Sequence, residues 1–213
     1  FTDEEVFSPP SPPHVSSDLV FVGNNRAYYI ADDQTVHAYI FFNGTWRTTS
    51  PSWVSHGNGT NINSQVKAAS DLIASPHGDR LYYIGVDGLI YGFEIVNDWD
   101  YNYFVMPTNN DMIAQAIRAV GSLTFSGNDR IFYIAKELGN SSTKRVHAFV
   151  FLNGIWQTGS PSWSAHGNGQ PISTQVEVKN SLCVSPNGNF IYYIGVDGFI
   201  HSYQILNSWT FLY

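Results

Sequence analysis

Positive charge is what this sequence most conspicuously lacks. Its 213 residues hold 10 Lys and Arg against 17 Asp and Glu, for a net charge of −7. Phosphate backbones and anionic lipid surfaces are gripped by clustered cations, so neither nucleic acid nor membrane insertion is expected. No apolar run approaches the ~18 residues that a spanning helix needs. The first fifteen residues carry acids and prolines rather than a basic and then an apolar stretch, so no secretory leader is expected there. A single cysteine, Cys183, excludes an internal disulfide framework. Lying in Ser181-Leu182-Cys183-Val184, it is expected to be a buried structural thiol.

Signatures of chemistry are absent as well. There is no Gly-x-Ser-x-Gly elbow, no phosphate-cradling Gly-x-x-x-x-Gly-Lys and no His-Glu-x-x-His. The run from Asn97 to Asn102 spaces Asp98, Asp100 and Asn102 like the start of a calcium loop. Tyr103 stands where that loop needs glycine, and Asn109 where it needs glutamate. The expectation is therefore a protein that is not an enzyme, with no cofactor and no metal.

What the chain has is aromatic residues and repetition. Tyr, Phe and Trp make up 15% of it while charged residues make up only 13%, which suits pleated sheets better than amphipathic helices. Val36-His37-Ala38-Tyr39-Ile40-Phe41-Phe42-Asn43-Gly44-Thr45-Trp46 returns as Val146-His147-Ala148-Phe149-Val150-Phe151-Leu152-Asn153-Gly154-Ile155-Trp156. Tyr82-Tyr83-Ile84-Gly85-Val86-Asp87-Gly88 returns as the same seven residues from Tyr192 to Gly198. A weaker echo aligns Arg26-Ala27-Tyr28-Tyr29-Ile30 with Arg80-Leu81-Tyr82-Tyr83-Ile84. The result is four modules of two alternating types.

Each module reads as four short strands. An apolar inner stretch leads through a Gly/Asn/Pro turn into the Tyr-Tyr-Ile strand; a tight turn such as Val86-Asp87-Gly88 then precedes an alternating third strand and an aromatic fourth. A four-stranded meander repeated at this period is the pattern of β-propeller blades, which gain stability by stacking on one another. The expected fold is all-β: a Pro-rich N-terminal arm over residues 1–17, then a propeller over 18–213 with blades near 18–60, 61–110, 111–170 and 171–213. Four blades can close alone into one ring, the arrangement favoured here, or form half of a larger ring completed by a second copy in a homodimer. Residues 1–7 could add an outer strand beside the last module.

The seven histidines divide into types. His37, His147 and His201 recur in third strands and are read as structural or surface residues, with no Cys, Asp or second His taken to stand at ligand spacing beside them. His56 and His166 differ, because each lies in Pro-Ser-Trp-x-x-His-Gly-Asn-Gly, a loop found on alternate modules only. Trp53, His56 and Asn58, with Trp163, His166 and Asn168, place an aromatic face, an imidazole and an amide within a few residues. That mixture suits a sugar, whose C–H face packs on a ring while its hydroxyls need planar polar groups. The plainer reading is a long turn in which Trp fills a gap between blades and Asn caps the turn.

The recurring Tyr-Tyr-Ile-Gly-x-Asp-Gly-x-Ile-x-x-Tyr pattern, followed by an aromatic strand with Trp, resembles lectin-type propellers of the tachylectin-like and fungal fucose-lectin-like kinds. That resemblance implies a non-catalytic glycan-binding protein with sites repeated on alternate blades, and a secreted or cell-surface location is favoured. The fucose-binding kind uses an Arg, a Glu or Gln and an aromatic in each site. Here Trp46-Arg47 becomes Trp156-Gln157, and no such set recurs in every module. The competing reading is a structural or interaction propeller, or a propeller fragment, with no small-molecule ligand.

Overall fold

The computed structural model describes residues 14–49, 65–96, 100–106, 118–137, 140–159, 175–207 and 211–212. Among them sixteen strands form four sheets, each an antiparallel meander in chain order. The first blade is β1 (Val20–Val22), β2 (Arg26–Ile30), β3 (Val36–Phe42) and β4 (Thr45–Thr49). The second is β5 (Ile73–Ala74), β6 (Arg80–Ile84), β7 (Ile90–Ile95) and β8 (Tyr101–Met106). The third is β9 (Ala119–Ser126), β10 (Arg130–Glu137), β11 (Asn140–Leu152) and β12 (Ile155–Gly159). The fourth is β13 (Val178–Val184), β14 (Phe190–Gly195), β15 (Ile200–Ile205) and β16 (Phe211–Leu212).

The turns follow the residues that permit them. Asn43-Gly44 and Asn153-Gly154 have φ of 50° and 80°, and 52° and 80°. Two successive positive φ values make the two-residue hairpin whose twist matches its strands. At Ser75-Pro76-His77-Gly78 the Ser75 hydroxyl oxygen accepts from the Arg80 amide at 3.0 Å, and Ser185 does the same for Phe190 at 3.0 Å. The Ser-Pro turn is thus closed by its own side chain.

Strand alternation gives each blade two apolar faces. One face, here called trailing, meets the preceding blade, and the other, leading, meets the next. Tyr28, Ile30, Val36 and Ala38 of the first blade pack on Leu81, Tyr83, Tyr91 and Phe93 of the second. Tyr82, Ile84, Ile90 and Met106 of the second pack on Ile131, Tyr133, Phe149 and Trp156 of the third. Phe132, Ile134, Val146 and Ala148 of the third pack on Ile191, Tyr193, Tyr203 and Phe211 of the fourth. The core is therefore three slabs between successive blades. Among the described residues no such slab joins the fourth blade to the first.

The trailing faces share one device. In every blade the tyrosine just before the isoleucine of β2, β6, β10 or β14 stacks on the ring directly across the next strand: Tyr29 on His37, Tyr83 on Tyr91, Tyr133 on His147, Tyr193 on His201. Cross-strand aromatic pairs add stability beyond burial. The histidines read as structural in the sequence belong to this stack.

One expectation is corrected. Cys183 is exposed, not buried. It pairs with Tyr192 across β13 and β14, so it lies on the leading face of the fourth blade, which no described blade covers.

Candidate functional site

The six loop residues expected to meet a sugar, Trp53, His56, Asn58, Trp163, His166 and Asn168, lie outside the described residues. The described residues instead build a cleft of about 240 Å³ at the outer end of the junction between the second and third blades.

Its polar edge is set by register. Arg80 on β6 lies opposite Glu94 on β7, which lies opposite Asn102 on β8. Directly opposed residues on one sheet face bring their side chains together. The Arg80 guanidinium donates to Glu94 Oε1 at 3.1 Å, and Asn102 Nδ2 donates to Glu94 Oε2 at 3.1 Å. The Asn102 amide, then Arg80, hold the Glu94 carboxyl below its usual range, with burial working against them. Glu94 is thus an ionised anchor with both oxygens engaged, not a proton donor at neutral pH.

The walls are aromatic. Phe104 comes from the second blade, and Phe151 and Trp156 come from the third. The Arg80 guanidinium carbon lies 5.5 Å from the centre of the Phe151 ring, a cation–π contact. Behind these walls Tyr82 lies edge-on to Phe104, Phe125 and Trp156. Burial raises its phenol to about 12. Gly92, opposite Phe104, leaves room for that ring: a Cβ there would meet Phe104 Cζ at 2.5 Å and the Leu81 carbonyl oxygen at 2.8 Å.

The polar triad does not recur. On the fourth blade, Phe190, Gln204 and Leu212 occupy the places of Arg80, Glu94 and Asn102. Sequence reasoning missed the cleft because its Arg, Glu and Trp come from three strands of two blades. It sought them as a set within each module.

A second constellation looks chemical but is structural. Thr35 Oγ1 lies 2.9 Å from His37 Nε2, and the Asp33 oxygens lie 3.1 and 3.2 Å from the same nitrogen. A nucleophilic triad needs the carboxylate on the imidazole nitrogen away from the hydroxyl; here both crowd one atom. Asp33 also accepts from the Thr35 amide at 2.9 Å and its hydroxyl at 2.8 Å. Burial opposes ionisation, but the Thr35 groups and His37 hold the Asp33 carboxyl below its ordinary range. The same lock joins Asp87 to the Leu89 amide at 3.0 Å and the Tyr91 hydroxyl at 2.7 Å. It also joins Asp197 to the Phe199 amide at 3.0 Å and to His201 at 3.0 Å. The sequence reading held that no Asp stands beside these histidines at ligand spacing. The structure shows an Asp four residues before two of them, fastening hairpins. Among the described residues no group of three or more His, Cys, Asp or Glu could hold a metal ion.

No family model and no curated protein matches the sequence. Solved propellers match the structure. The β-propeller domain of Cps50 (Swd1) from Myceliophteria thermophila superposes with a TM-score of 0.54 at 8% identity, over 91% of this chain and 52% of that one. BamB from Moraxella catarrhalis gives 0.50 at 13% identity, over 92% and 51%. YCF48 bound to D1 peptide gives 0.51 at 9% identity, over 89% and 51%. At such identities the likeness establishes the propeller fold and nothing finer, and it lends no support to the lectin-type reading. The chain spans about half the length of each of these structures.

Proposed function

We propose that this chain is a non-catalytic interaction propeller, a platform for a protein partner, and that the cleft between its second and third blades receives an apolar or aromatic side chain of that partner. The observation that carries this reading is the joining of Phe104, Phe151 and Trp156 with the Arg80–Glu94–Asn102 edge in one open cleft. An apolar slot rimmed by a few fixed polar groups is how protein surfaces capture an anchor residue. Propeller neighbours in protein assemblies support it. YCF48 is bound to a peptide, and a structure of the mitotic checkpoint complex matches with a TM-score of 0.51 at 15% identity, over 92% of this chain and 50% of that one.

Selection from a random peptide library on the folded protein tests the reading. Enriched peptides should carry an aromatic or large aliphatic residue, and Arg80→Ala with Glu94→Ala should weaken them at least tenfold. Peptides that bind both forms equally, or no enrichment at all, would count against it. A glycan array run in parallel distinguishes the carbohydrate reading: binding lost with Trp53→Ala and Trp163→Ala would replace this proposal with that one.

A further inference from the structure

The same blade position is buried in one copy of the repeat and bare in the other. Ile90, on the leading face of the second blade, is 2% exposed, whereas its counterpart Ile200 on the fourth is 75% exposed. The mismatch recurs at the other end of the array. On the third blade Trp156 is 3% exposed, and Phe125 and Phe151 are partly buried against the second blade. Their counterparts on the first blade, Trp46, Phe21 and Phe41, are 47%, 61% and 41% exposed. Residues kept apolar at positions that face water mark a surface made to be covered.

We infer that a second copy of this chain covers both surfaces: the leading face of each copy's fourth blade docks on the trailing face of the other's first blade, closing a ring of eight blades. The chain supplies the template. Its modules alternate in type, so a fourth blade meeting a first blade repeats the meeting of second and third already present within the chain. Tyr192 then occupies the place of Tyr82, edge-on between aromatic rings that Phe21 and Trp46 of the partner copy supply where Phe125 and Trp156 stand within the chain. Ile200 occupies the place of Ile90. At the outer end Phe190 and Leu212 replace Arg80 and Asn102, so this junction loses the polar edge of the cleft and becomes a drier seal. On the first blade Ala27 and Tyr29 are already buried, so the rim aromatics carry the new contact there.

Two identical junctions related by one two-fold axis close without further copies. The span of about half of each solved propeller agrees with a half-turn per chain. The inference does not depend on what the cleft receives, because the peptide selection and the mass measurement interrogate different junctions.

Sedimentation equilibrium of the full chain across the micromolar range should return twice the monomer mass of 23.8 kDa. Ile200→Lys and Trp46→Glu alter exposed side chains, so each should keep the native circular dichroism and melting while restoring 23.8 kDa. A native chain that stays monomeric throughout, a mass that climbs beyond two copies, or folded variants that remain dimeric would each overturn the inference.

Discussion

The His147 imidazole stacks on Tyr133, ring centres 5.8 Å apart and planes 29° from parallel, inside the slab between the second and third blades. Burial, then the positive charge of Arg145, push this histidine down from 6.5 to about 3. The fold refuses a proton that the unfolded chain accepts below about pH 6.5. Stability is therefore full above that pH and falls as pH drops towards 3, by at most about 1.4 kcal/mol per pH unit from this group. His147→Phe keeps the stacked ring and removes the titration. Melting temperatures at pH 7 and 4.5 should lie closer together in the variant than in the native protein. An unchanged gap would show that His147 does not govern the acid limb.

Gly92 is small because Phe104 lies across it. Gly92→Ala should destabilise the chain by about 1–3 kcal/mol, the usual cost of overpacking a tight site. For a domain of this size that is a loss of roughly 2–4 °C in melting temperature per kcal/mol. The variant should also lose peptide binding, since displacing Phe104 deforms the cleft. Native melting with native binding would show that the cleft wall is softer than its contacts imply.

The aspartate lock in the hairpin between β6 and β7 can be removed by itself. Asp87→Ala deprives the Leu89 amide and the Tyr91 hydroxyl of their acceptor, at about 1–2 kcal/mol for hydrogen bonds lost from a partly buried site. Asp87→Asn keeps the side-chain oxygen that serves Leu89 and should recover part of the loss. Thermal melts of the two variants check this, and equal melting of both would assign the stability to the Gly88 turn instead.

The parts of the fold legible in the sequence were those written locally. Tyr-Tyr-Ile strands, Asp-Gly turns and the Ser-Pro turn each carry their cause within a few residues and appear where the repeat placed them; the Asn-Gly hairpins, equally local, went unread. Arg80, Glu94 and Asn102 meet only because register aligns three strands, and Trp156 joins them only because another blade stacks there. No spacing in the chain encodes either step. Cys183 was misread for a related reason: its run is apolar, yet its face depends on which blade follows. The Asp33-to-His37 and Asp197-to-His201 spacing was legible and was weighed only for metal binding.

Cys183 turns that misreading into the most direct test. It sits beside Tyr192 on the face that a partner is inferred to cover, where the corresponding residue of the second blade, Ile73, is partly buried against the third. The rate of maleimide labelling should be slow in the native protein, rise on dilution, and be fast at every concentration in Ile200→Lys. Equal, fast labelling of both proteins at all concentrations would mean that the fourth blade faces water in solution, and the eight-bladed ring would have to be abandoned.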